Sequence, residues 1–157
     1  MIRHRGTPES VGRGIAVGLF SAFTVPVGHM LIAFLLAILV RGARTASVLV
    51  TWVANPLTIP FFYPFQCYIG SFIIGEPLSY ALIKQLVMDA LRNPSVRTAG
   101  ALSGQLMASF FAGGLLLGSI AALTGYFIAT AVVRRQRTRR ARKLALRIGL
   151  RKAEQHV

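Results

Sequence analysis

Three polar side chains stand inside stretches that are otherwise almost wholly apolar: His29, Asn55 and Thr58. An imidazole titrates near pH 6.5, a carboxamide both donates and accepts, and a hydroxyl does the same with one hydrogen. Each lies beside a proline. "TVPVGH" carries Pro26 just before His29, and "NPLTIP" carries Pro56 and Pro60 around Thr58. Proline removes an amide donor and pushes the preceding residue, here Val25 or Asn55, out of the helical region. Backbone amides near Gly28 and Leu57 are thereby released. Unpaired amides at the start of a helix attract phosphate and carboxylate groups. The candidate substrate-binding set is therefore Asn55, Thr58, His29, Gly28 and Leu57, shaped by Pro26, Pro56 and Pro60. Its chemistry would be the holding of an anion. The competing reading is structural: the prolines shape a hairpin, and Asn55 and Thr58 cap its freed backbone.

Bond-breaking chemistry lacks its parts. The chain has four acids, Glu9, Glu76, Asp89 and Glu154, and none falls within an apolar run. No zinc-ligand spacing, phosphate-binding glycine loop or nucleophile elbow occurs. Cys67 is the single cysteine, so it has no partner for a disulfide or a metal site. The expectation is a protein that is not an enzyme and has no metal and no cofactor.

The elements that must position these side chains are long and apolar. Segments 14–40, 45–75 and 98–133 contain no Asp, Glu, Lys or Arg and hold 27, 31 and 36 residues. A bilayer core of about 30 Å needs roughly 20 helical residues. Hydrophobic residues make up 54% of the chain and the mean hydropathy is +0.60. The expected fold class is all-α: a polytopic membrane protein with proline-broken, re-entrant helix hairpins. The membrane domain covers residues 1–133 and a basic helical tail covers 134–157. Between the second and third segments, about 77–92 reads as an amphipathic helix at the membrane surface. Leu82, Ile83, Leu86 and Val87 share one side of it. Gly113 and Gly114 stand where the third segment would bend.

Net charge is +14, and ten Lys or Arg fall between Arg134 and Lys152 with no acid among them. Arg134, Arg135, Arg137, Arg139, Arg140, Arg142, Lys143 and Arg147 are the candidate contacts for anionic lipid headgroups. The same run is the footprint of a nucleic-acid binder, but it has no interleaved aromatics for base stacking, so lipid is the favoured partner. Every linker is basic, with Arg3, Arg5 and Arg13 before the first segment and Arg41 and Arg44 after it. Both termini are then expected in the cytoplasm. If each linker stays there, each apolar segment enters and returns, which predicts three V-shaped segments. "GIAVG", "GALSG" and "GLLLG" have the small-xxx-small spacing that brings helices close, within one chain or between copies in a homo-oligomer.

Two stretches carry a resemblance. "GIAVGLFSAFTVPVGHMLIAFLLAILVRG" and "TWVANPLTIPFFYPFQCYIGSFIIG" resemble the bacterial DUF2062 family of small membrane proteins. The most specific pieces are P-x-G, at Pro26 and Gly28, and W-x-x-N-P-x-T, at Trp52, Asn55, Pro56 and Thr58. His29 stands where that family commonly has Gln. The resemblance implies a bacterial inner-membrane protein without an assigned activity. It also implies an envelope glycosyltransferase as a partner, since some members look like appendages of such enzymes. Two functions are carried forward. One is handling of an anionic lipid-linked substrate at the broken tips. The other is a non-catalytic scaffold that recruits a partner or lipid through its tail.

Overall fold

The computed structural model describes residues 7–26, 28–55, 57–75, 77–92 and 104–154. These residues form helices and turns, with no strand among them. Helix α1 (Pro8–Thr24) starts where Thr7 Oγ1 accepts the Ser10 amide at 3.1 Å, and Pro8 takes the first helical position. That position tolerates proline because its amide would have no partner in the helix. The helix stops at Val25, which is extended ahead of Pro26. Gly28 then adopts φ 74°, a left-handed conformation open to glycine at little cost, and α2 (His29–Leu39) begins. Past α2 the chain turns through Arg41 at φ 52°, with the Gly42 amide donating to Ala37 O at 2.7 Å. The Ala43 amide donates to Ser10 O at 2.7 Å. This bond ties the outlet of α2 to the inlet of α1, so the two helices form a hairpin with both outer ends together.

The second apolar segment departs from its expected shape. Helix α3 (Arg44–Val50) runs beside α1 in the same direction. A Cβ on Gly14 would meet the Ala43 backbone, and one on Gly18 would meet Ser47 O and Val50. A single 3₁₀ turn, Thr51–Val53, and an irregular stretch follow before α4 (Ile59–Ile73). Helix α6 (Gly104–Glu154) gives the direction of α4. It runs antiparallel to α1, with Gly125 against Ile15 and Leu19 and Gly118 against Phe20 and Phe23. It runs antiparallel to α4 as well, with Gly113 against Gln66 and Gly70 against Ser109. Helices α3 and α4 therefore point the same way. The segment is one broken helix that continues past its interruption, and it is not a V.

The third segment is not bent into a V either. α6 continues as helix through Gly113 and Gly114 and over 51 residues in all. Those two glycines serve contact instead. A Cβ at Gly113 would strike Gln66 O, and one at Gly114 would come within 2.7 Å of Phe23 O. Residues Gly104–Arg142 of this helix are long and apolar enough to cross a membrane. Helix α5 (Tyr80–Arg92) turns Ile83 and Val87 inward. They join Cys67 of α4 and Leu106 and Phe110 of α6 in the apolar core. Ile83 and Val87 thus cover other helices, while Leu82 of the same apolar side is 47% exposed.

Small and polar residues fill the interior, and large apolar ones cover the outside. Ser21, Ser47, Thr51, Gln66, Ser71 and Ser109 are fully buried, as are Ala33 and Ala37. Leu39, Leu57 and Phe61 are 77%, 78% and 70% exposed. A water-soluble domain keeps the opposite distribution. Helices that associate in lipid use small residues for close approach and hydroxyls or amides as interhelical links.

Candidate functional site

The two interruptions meet. Tyr63 OH donates to Pro26 O at 3.4 Å, linking the second turn of α4 to the hairpin tip. The Phe23 and Phe62 rings pack edge to face, with centroids 5.6 Å apart. Between them lies a small apolar cleft of about 10 Å³, lined by Ala22, Phe23, Val53, Ala54 and Phe62. One water molecule is about the most such a space admits. The end of α1, the start of α2 and the break before α4 thus lie together, part-way along α6.

Asn55 and Thr58 are both engaged by their own backbone. Asn55 Oδ1 accepts the amides of Leu57 at 2.9 Å and Thr58 at 3.0 Å, and its Nδ2 donates to Trp52 O at 3.2 Å. Thr58 Oγ1 accepts the Asn55 amide at 3.0 Å and lies 2.5 Å from Val53 O, to which it donates. This is a reciprocal pair of side-chain bonds in the turn that leads into α4, whose own N-cap, Thr58, makes no side-chain capping bond. The two side chains satisfy amides of the turn itself. The N-P-x-T stretch therefore stabilises the restart of the broken helix. Trp52 supplies its carbonyl while its side chain is 65% exposed. Pro60 lies in the first turn of α4, and Pro56 lies outside the described residues.

The start of α2 lacks a side-chain cap as well. Gly28 has no side chain, and no side chain caps this helix end. Among the described residues, no carbonyl one turn back accepts the first amides of the helix, at His29 and Met30. His29 occupies the first helical position, partly exposed. Its Nδ1 is buried and has no hydrogen-bond partner among the described residues. Of the candidate residues, Gly28 and His29 thus present uncapped groups at the junction. Asn55 and Thr58 hold its frame, and Leu57 is 78% exposed beside it.

Sequence reasoning missed Gln66. Its side chain is fully buried in α4, and its Nε2 donates to Phe23 O and to Phe110 O, each at 2.9 Å. One amide group so joins the last turn of α1, the broken helix and α6. Its Oε1 is buried without a donor among the described residues. The available signal was an amide inside the run "FFYPFQCYIG", where an unpartnered polar group is costly.

Away from the junction, the basic ends of α1 and α6 are held together. Arg134 donates to Glu9 at 2.7 Å, and this bond holds the Glu9 carboxyl below its ordinary value of 4.5. Arg135, Arg139, Arg140 and Arg142 are exposed on α6. Arg137, Lys143 and Arg147 lie on the same helix.

A family model described as an uncharacterised protein conserved in bacteria, DUF2062, matches residues 1–142. The chain belongs to the DUF2062 family. The matched span contains the hairpin, the broken helix and α6 as far as Arg142, so every residue of the junction lies within the DUF2062 region. No curated protein and no solved structure matches the chain.

Proposed function

We propose that this DUF2062 protein lies in the bacterial inner membrane and holds the anionic headgroup of a lipid-linked substrate where its broken helices meet. In this reading α6 crosses the bilayer, and α3 and α4 cross it in two halves. The α1–α2 hairpin enters to about half depth and returns. Both chain ends then face the cytoplasm, in keeping with their Arg and Lys content. The exposed Leu, Ile and Phe side chains face lipid, and the buried hydroxyls and amides link the helices. Unwound backbone at membrane depth is tolerated where protein or a wet cavity covers it. Paired interruptions of this kind point to a substrate site.

The observation that carries the headgroup reading is the uncapped start of α2 beside the break before α4. The amides of His29 and Met30 would receive the phosphate, and His29 would add a donor. Asn55 and Thr58 contribute by fixing the restart of α4. The test is native mass spectrometry of the purified protein with a polyprenyl phosphate and with the matching neutral polyprenol. Retention of the phosphate about tenfold over the alcohol is expected. Met30→Pro removes one amide in the first turn of the helix, where α4 carries Pro60, and it should lower that ratio several-fold. Equal retention of the two lipids refutes the reading.

A second reading, a membrane scaffold for a partner such as an envelope glycosyltransferase, is favoured by one observation. Both polar side chains at the broken helix are occupied by the chain's own backbone. The scaffold reading predicts that truncation after Val133 abolishes function while Met30→Pro leaves it intact. Its glycine motifs do not by themselves argue for a homo-oligomer. Gly14, Gly18, Gly114 and Gly118 are already packed within one chain.

A further inference from the structure

The basic tail does not begin a new element. α6 is helical from Gly104 to Glu154, through the end of the apolar segment and the whole basic run. Sharp helix kinks need a proline, a glycine or serine pair, or an inserted residue. From Tyr126 to Ile148 the sequence contains no Gly, Pro or Ser. The helix therefore has no place to fold down onto the membrane surface where it leaves the bilayer. At about 1.5 Å per residue, Arg142 stands about 12 Å beyond Arg134, and Lys152 stands about 27 Å beyond it. The field of an anionic leaflet decays over about 8 Å at physiological salt. On the membrane placement proposed above, the first turn or two of the tail feels the lipid surface, and the rest stands in the aqueous compartment.

What stands there is a rod of positive charge. Ten Lys or Arg lie between Arg134 and Lys152, and eight of them are Arg. Successive residues turn by about 100°, which distributes Arg134, Arg137, Arg139, Arg140 and Arg142 around the helix and not along one stripe. Arg135, Arg139, Arg140 and Arg142 are exposed. The spacing is about one charge per 2.7 Å of axis, against about one per 1.7 Å on duplex nucleic acid. The guanidinium fork binds phosphate oxygens in pairs. No Phe, Tyr or Trp follows Phe127, so no aromatic ring is present for stacking bases. We infer that the basic end of α6, from Arg134 onward, binds the phosphate backbone of a nucleic acid at the membrane face, without reading its sequence. The inference rests on the membrane placement and is independent of the headgroup site.

The experiment uses the full chain in nanodiscs of zwitterionic lipid, with a labelled 20-base-pair duplex followed by fluorescence anisotropy from 50 to 200 mM salt. Affinity should fall steeply with salt. Neutralising Arg139, Arg140, Arg142 and Lys143 to Gln together should reduce the log–log slope by up to about 3.6, at about 0.9 per phosphate contact. The corresponding Arg→Lys changes at the three arginines should keep the slope and weaken binding. An unchanged slope in the Gln variant overturns the inference. Competition by polyglutamate at equal charge would replace it with an acidic protein partner. Loss of duplex binding in nanodiscs of anionic lipid would return the tail to the membrane surface. If the chain fails to enter nanodiscs at all, the membrane placement falls, which is a separate outcome from a reconstituted chain that does not bind.

Discussion

Gln66→Met is the sharpest perturbation of the junction. It keeps the length of the side chain and removes its amide. In the native chain that amide makes two bonds of 2.9 Å, to Phe23 O and Phe110 O, and leaves Oε1 buried without a donor among the described residues. Hydrogen bonds between helices in lipid average about 0.6 kcal/mol, so the two are worth about 1.2 kcal/mol. A buried acceptor without a partner costs about 1–3 kcal/mol. Phe23 O, at the end of α1, loses its side-chain donor in the same change, at a cost like that of the orphaned Oε1; these two cancel, and the Met variant should be destabilised by about 1 kcal/mol through the lost bonds. Gln66→Glu keeps the native shape and is more damaging. A carboxylate facing the same two carbonyl oxygens is an unpaired buried charge, and the cost is about 3–5 kcal/mol. Trp52 is the single tryptophan and reports from the break. Its fluorescence would follow unfolding in mixed micelles as denaturing detergent is raised. A Met variant destabilised by more than about 3 kcal/mol, or a Glu variant as stable as the parent, would refute this account of the amide.

Asn55→Ala should cost about 1–2 kcal/mol by freeing the two amides its side chain accepts, and it should speed hydrogen exchange at the Leu57 and Thr58 amides. Asn55→Asp should retain most of that protection, because the accepting oxygen remains. Gly113→Leu should prevent close approach of α4 and α6, seen as a lower melting temperature or loss of the folded protein. Gly104→Leu, with nothing within 4 Å of its added Cβ, should be silent in the same assay. Glu9 has a folded-state pKa below 4.5 because Arg134 hydrogen-bonds its carboxylate. A depressed pKa means that the folded state binds the proton less readily. Its contribution is therefore present above the ordinary carboxylate range and lost as pH falls through the folded value. Melting temperatures from pH 6 to pH 3 should fall more for the parent than for Glu9→Gln.

Much of the hairpin was legible in "TVPVGH". Proline fixes where the helix must stop, and glycine fixes where the chain can turn. The prolines of "NPLTIP" likewise marked the second interruption, and the structural reading of Asn55 and Thr58 as partners of freed backbone was available from their spacing. Proline says where a helix unwinds but not in which direction it resumes. The return of α2 and the onward course of α4 were therefore indistinguishable in sequence, since both are short apolar arms flanking a break. Packing of Gly113 against Gln66 and of Gly70 against Ser109 decides the direction, and such contacts are long-range. The same applies to Gly113 and Gly114, whose lack of side chains suits a bend or a close crossing equally well. Gln66 escaped notice because one amide in a long apolar run has no partner that can be read locally. Its acceptors lie 43 and 44 residues away.

The bond between Ser10 O and the Ala43 amide bears on how the chain is made as well as on how it is held. It closes the α1–α2 hairpin with contacts available once residue 43 has been synthesised. Arg13, Arg41 and Arg44 flank the hairpin, and the residues between Arg13 and Arg41 carry no acid, Lys or Arg. In the proposed placement its insertion moves no Arg or Lys across the bilayer and sends no loop to the far side. The hairpin would then enter as a finished unit, ready to receive α3 along Gly14 and Gly18 before α4 is complete. The order of synthesis would match the order of packing, with α6 arriving last to join the hairpin and the broken helix.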